Sequence, residues 1–239
     1  MKFTLGARLT AEFIGTAFLV AAVVGSGVMG EKLSGGNVAI ALLANTIATG
    51  AALVALILTF GAISGAHFNP VVSLSEAIGG GLSWRDGTAY ATVQIVGGIA
   101  GAVVAHLMFG IPVVSLSLHA RRGSALVLSE FIATFGLLMV ILGCSRFRLS
   151  MVPVAVGSYI TAAYWFTAST SFANPAVTIA RSLSNTFAGI RPVDVPLFLI
   201  AQVAGGLAAT FLFRRFKPLE GHGWSKKQTP ALLRDDLGR

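Results

Sequence analysis

Two short stretches decide how this chain is read: Ser64-Gly65-Ala66-His67-Phe68-Asn69-Pro70-Val71-Val72-Ser73 and Ser171-Phe172-Ala173-Asn174-Pro175-Ala176-Val177-Thr178. Each lies in a moderately apolar segment, residues 61–80 and 169–186. Both segments are too short to cross the roughly 30 Å of a hydrocarbon core, which takes about 20 helical residues. In each, an Asn-Pro pair opens a short run of helix-compatible residues. Proline suits a first helical turn, where its missing N–H is no loss. The preceding Asn can cap the helix and keep amide N–H groups free to donate. Short hydrophobic segments interrupted by Pro at corresponding places of two halves point to half-helices at a transport site.

Working outward, the surroundings of the two stretches also repeat. Ala11-Glu12-Phe13-Ile14-Gly15-Thr16 matches Ser129-Glu130-Phe131-Ile132-Ala133-Thr134, and Gln94-Ile95-Val96-Gly97-Gly98 matches Gln202-Val203-Ala204-Gly205-Gly206. Motifs matched in the same order define an internal repeat. Six long apolar stretches, about 9–30, 38–60, 88–109, 125–144, 151–168 and 195–213, are candidate membrane spans. Three spans per half make the second half enter from the opposite face, so the repeats are inverted. The expected organisation is a first repeat over 1–110, an outer connecting loop over 111–124, a second repeat over 125–215 and a basic cytoplasmic tail over 216–239.

Composition agrees with this. Of 239 residues, 55% are hydrophobic and 11% charged, against about 25% charged in soluble domains, so a water-facing surface cannot be built. The net charge of +8 does not indicate a nucleic-acid partner, because the basic residues sit at chain ends and between apolar blocks. One cysteine, Cys144, excludes a disulfide framework and a Cys-based metal site; it reads as a small apolar residue at a helix end. Counting Lys and Arg by side gives twelve with the termini, including Lys2, Arg8, Arg85, Arg146, Arg148, Arg214 and Arg215, against five opposite: Lys32, Arg121, Arg122, Arg181 and Arg191. The positive-inside rule then puts both termini in the cytoplasm, the expectation for a multi-pass protein of the plasma (inner) membrane.

Each half-helix carries about half a positive charge at its N-terminus. Two such ends meeting at mid-bilayer, with Asn69 and Asn174, would oppose cations and offer donors to neutral solutes. Glu12 and Glu130 are costly inside a bilayer. Either they couple protons, or, the favoured reading, they accept hydrogen bonds from re-entrant backbone that lacks helix partners. Gln94 and Gln202 adjoin small-residue surfaces, Gly97 with Gly101 and Gly205 with Ala209, that let helices cross closely. His67 either lines the inner mouth or fills its loop. Trp84, Tyr164 and Trp165 fall near span ends and read as interface anchors.

These residues together resemble the aquaporin and aquaglyceroporin channels, the major intrinsic protein family, over roughly residues 8–215. The resemblance implies an all-α membrane fold of six transmembrane helices plus two re-entrant half-helices, a homotetramer with one pore per subunit, and passive conduction of water or small uncharged solutes, without cofactor, metal or catalysis. It puts Asn69, Pro70, Val71, Asn174, Pro175 and Ala176 at the pore midplane. Val71 stands where the family usually has Ala. An Arg usually follows the second signature; here Val177 does. Counting by the family's spacing, the other filter positions fall on Thr49, Ala162 and Ser171, a small and uncharged set. Such a filter is wide and loses an electrostatic barrier to cations. Arg181, four residues after Val177, is a candidate for the vestibule. Among family members the chain is most similar to bacterial aquaglyceroporins associated with arsenic resistance, which also carry Val there. The implied permeants are glycerol-like polyols, undissociated metalloid acids such as arsenous acid, and water. The alternative is an ion-coupled secondary transporter using Glu12 and Glu130.

Overall fold

The computed structural model describes residues 3–216, and the tail assigned to 216–239 lies almost wholly outside them. Among the described residues the fold is helical throughout, with eight α-helices. They are α1 (Leu5–Leu33), α2 (Val38–Ser64), α3 (Pro70–Gly79), α4 (Trp84–Phe109), α5 (Ser124–Phe147), α6 (Val152–Phe166), α7 (Pro175–Ser182) and α8 (Val195–Phe213). All but α3 and α7 are long and apolar enough to span a membrane, α6 together with the short turn Leu149–Met151 that precedes it. The spans begin and end within a few residues of the hydropathy boundaries.

The long helices show large apolar side chains on their outer faces, among them Phe18, Leu107, Met108, Trp165 and Ile200. Apolar outer faces of this kind suit lipid or another protein surface and not water. α1 packs on α2 and α4, and α5 packs on α6 and α8, while α2 and α6 join the two sets. The α1–α4 and α5–α8 crossings depend on the paired glycines. A Cβ at Gly97 would stand 2.5 Å from the Phe13 carbonyl oxygen, and one at Gly205 would collide with that of Phe131. Backbone touches backbone at both crossings, as the small-residue spacing predicts.

α3 and α7 have 10 and 8 residues, so at 1.5 Å per residue each covers only about half the hydrocarbon thickness. Both start at proline with the preceding Asn as cap, and they meet each other in the interior. The segment 110–123 is more than a connector. It lies along the end of α7, with Ser115 and Ser117 N–H donating to the carbonyls of Leu183 and Ser182 at 3.1 and 3.0 Å.

Candidate functional site

The chain reaches α3 and α7 through loops that bend sharply. Ala66, Phe68, Ser171 and Ala173 all have φ near +50°, a left-handed conformation costing about 1–2 kcal/mol per non-glycine residue. This backbone has no helix partners, and the two buried carboxylates supply them. Glu12 accepts from Ser64 Oγ (2.6 Å), His67 N (3.0 Å), Phe68 N (2.7 Å) and Gln94 Nε2 (2.8 Å). Glu130 accepts from Phe172 N and Ala173 N (both 2.9 Å) and Gln202 Nε2 (2.6 Å). Both glutamates are fully buried, and charge-assisted bonds are the strong ones.

The glutamines do more than the packing role expected of them. Gln94 Nε2 also donates to Ser73 Oγ at 3.0 Å, and Gln202 Nε2 to Thr178 Oγ1 at 2.8 Å. Ser73 and Thr178 stand at the same offset, four residues after Asn69 and Asn174. That shared offset was the available sign of a shared role. Each Gln thus ties a span to a glutamate and to a half-helix.

Asn69 and Asn174 are held in one orientation each. Their Oδ1 atoms accept from backbone N–H groups of the first turn: Val71 N (3.0 Å) for Asn69, and Ala176 N (2.9 Å) and Val177 N (3.3 Å) for Asn174. One amide hydrogen crosses to the opposite loop, Asn69 Nδ2 to the Ala173 carbonyl (2.8 Å) and Asn174 Nδ2 to the Phe68 carbonyl (2.7 Å). An amide N–H₂ has two hydrogens, so each side chain retains one to give. The reciprocal bonds bind the two half-helix tips to one another.

Beside these tips runs a cavity of about 590 Å³. Asn69, Asn174 and the loop residues Phe68 and Ala173 form part of its wall. One end holds His67 and Glu76; the other holds Thr49, Tyr164, Ser171 and Val177, with no charged side chain. His67 is on the wall, its Nδ1 3.1 Å from Ser73 Oγ and its ring against Tyr90.

Seven expected positions differ. Ala162 is exposed on the outside of α6 and is absent from the cavity wall. The helix phase puts Val156, Ile160 and Tyr164 there instead, spaced four residues apart on one face. Tyr164, read from the sequence as an interface anchor, is buried, with its hydroxyl 3.3 Å from Thr49 Oγ1. Trp84 and Trp165 are exposed. Val71 is buried away from the cavity, against Gly206, where a Cβ would collide with it. Arg181 does not reach the cavity: it is 2% exposed, stacked on Phe172 and bonded through Nε to the Ala188 carbonyl. The chain after α7 folds back over it. Pro70, Pro175 and Ala176 also stay off the wall, serving the first turns.

Among the described residues there is no group of three or more His, Cys, Asp or Glu placed to hold a metal ion. In the 110–123 segment, burial lowers the Arg121 guanidinium from its ordinary value, and the Glu130 charge pulls the other way.

The profile of the family described as "Major intrinsic protein" matches residues 2–171. The chain is 55% identical to the protein named "Aquaglyceroporin AqpS" of Rhizobium meliloti (strain 1021), across 89% of this chain and 91% of that one. It is 33% identical to "Aquaporin NIP1-4" of Oryza sativa subsp. japonica, across 89% and 78% of the two chains. Its fold resembles the X-ray structure of the aquaglyceroporin from Plasmodium falciparum with a TM-score of 0.72, at 20% identity and covering 89% of this chain and 97% of that one. The chain belongs to the major intrinsic protein family and is a multi-pass membrane channel for small solutes, not an enzyme.

Proposed function

We propose that this channel passes neutral solutes larger than water, namely glycerol-like polyols and undissociated metalloid acids such as arsenous acid, along with water. The observation that carries the proposal is the uncharged end of the cavity. Thr49, Tyr164, Ser171 and Val177 line it without a charged group, and the Thr49 and Tyr164 hydroxyls stand 3.3 Å apart there. A constriction of this kind selects by hydrogen bonding to polar solutes and not by a guanidinium fork. Arsenous acid, with three hydroxyls, meets the same requirement as a polyol. The relative from Rhizobium meliloti being named an aquaglyceroporin supports the same class.

In this reading Asn69 and Asn174 offer their remaining amide hydrogens to a passing hydroxyl, while the positive ends of α3 and α7 oppose cations. The halves, 1–110 and 125–215, act as inverted repeats around that point. The uncharged end faces outward, both termini face the cytoplasm in the plasma membrane by the count of basic residues, and the subunits assemble as a homotetramer. Ion coupling through Glu12 and Glu130 is disfavoured, because every carboxylate oxygen there accepts at least one fixed N–H or O–H donor. The test is uptake into proteoliposomes. Glycerol and arsenous acid should equilibrate faster than in protein-free vesicles; equal rates for both would refute the proposal.

A further inference from the structure

With Val177 on the wall, the uncharged end of the cavity has no cation of its own to repel permeant cations. Two arginines stand just behind that wall. Arg181, one turn beyond Val177 on α7, holds its Cζ 3.3 Å from the centroid of the Phe172 ring. Arg121 arrives from the 110–123 segment. Its Nε donates to the Gly189 carbonyl at 2.8 Å, its Nη1 to the Ser169 carbonyl at 3.1 Å, and its Cζ is 4.9 Å from the same ring centroid. Phe172 itself is on the cavity wall.

Among the described residues these arginines form no direct ion pair, and the Glu130 charge acts on Arg121 only from a distance. Neither has a carboxylate within ion-pairing distance among the described residues; the ion pairs there are Arg8–Asp86 and Arg191–Asp194. Glu130, the nearby carboxylate, is occupied by Phe172 N, Ala173 N and Gln202. Asp194 is occupied by Arg191 and by the backbone N–H of Arg121. Arg181 Nη1 is buried with no hydrogen-bond partner at all. Isolated charge in such surroundings is costly, and a purely structural role would favour pairing it.

We propose that Arg121 and Arg181 form the cation barrier at this end of the pathway, acting through the Phe172 ring and not from the lumen wall. Two functions are thereby separated. Thr49, Tyr164, Ser171 and Val177 set the width, so large neutral solutes pass. The withdrawn guanidiniums, always charged, set the potential, which reaches several ångströms through a low-dielectric wall. The inference rests on the channel reading above.

The test uses the full chain in proteoliposomes, with K⁺ and proton leak under an imposed voltage measured beside glycerol uptake. Arg121→Gln should raise cation leak roughly fivefold or more, by removing a fixed charge from the barrier, and leave glycerol uptake within about twofold. Arg121→Lys, which keeps the charge and loses the fork, should stay tight. The proposal is overturned if Arg121→Gln passes glycerol with unchanged cation leak. It is also overturned if Arg121→Lys leaks as much as Arg121→Gln, since then only the hydrogen bonds to Gly189 and Ser169 matter. Arg181→Gln risks misfolding, so a second measurement uses the unaltered protein: its residual current across a KCl gradient should be anion-selective, and a cation-selective reversal potential overturns the proposal. Unaltered protein that takes up no glycerol would refute the channel reading instead, separately from this one.

Discussion

Replacing Glu130 with Gln separates the two roles a buried carboxylate could have here. Glu130 receives three N–H donors, Phe172 N and Ala173 N at 2.9 Å and Gln202 Nε2 at 2.6 Å. A Gln of the same shape keeps one acceptor oxygen and turns an N–H₂ donor toward another donor. At least one backbone N–H is then orphaned, at about 1–3 kcal/mol, and a second bond loses its charge assistance. The sum is about 2–4 kcal/mol, which for a chain of this size lowers Tm by about 5–15 °C. Ala at this position orphans all three donors, about 3–9 kcal/mol, comparable with the whole stability of a typical fold. The assay is thermal unfolding of purified protein in detergent, followed by solute uptake on what survives. Glu130→Gln should be recoverable but less stable, with its remaining uptake indifferent to an imposed pH gradient; Glu130→Ala should not be recovered. A Glu130→Gln protein of unchanged Tm that loses only a pH-driven component of uptake would refute the structural role and support proton coupling.

Two further substitutions address the uncharged end. Val177→Arg should narrow it and reduce glycerol uptake more than water permeability in stopped-flow light scattering; equal loss of both would contradict the filter argument. Tyr164→Phe keeps the ring but removes the hydroxyl 3.3 Å from Thr49 Oγ1. With a net hydrogen bond worth about 0.5–1.5 kcal/mol, polyol uptake should fall about two- to tenfold with water permeability nearly unchanged, and an unaltered polyol-to-water ratio would remove Tyr164 from the filter.

The parts of the site legible in the sequence are those whose chemistry is local or duplicated. Asn69 and Asn174 announce themselves because an N-cap before proline is a local motif. Glu12 and Glu130 do so because a carboxylate in an apolar stretch is conspicuous and here occurs twice in matching context. Gly97 and Gly205 were legible as close crossings for the same reason. What failed was counting across a bend. Ala162 and Tyr164 are two residues apart on α6, over half a turn, so the spacing that reaches the right helix still selects the wrong face. Tyr164 near a span end carries the same sequence signature as an interfacial anchor, and only the packing against Thr49 distinguishes the two. Val71 turns to Gly206 because the first turn of α3 orients it toward α8. The fate of Arg181 depends on long-range closure: the residues after α7 and the 110–123 segment fold over it, and no periodicity encodes that.

The claim on which the rest depends is that a permeating neutral solute passes between the tips of α3 and α7 and takes hydrogen bonds from both asparagines. A structure in lipid nanodiscs soaked with glycerol tests it directly. The expected result is solute density with a hydroxyl within hydrogen-bonding distance of Asn69 Nδ2 and Asn174 Nδ2, continuous with the Thr49–Tyr164 end. Asparagine amides sealed off from any solute density, with glycerol resolved along another route, would contradict the account.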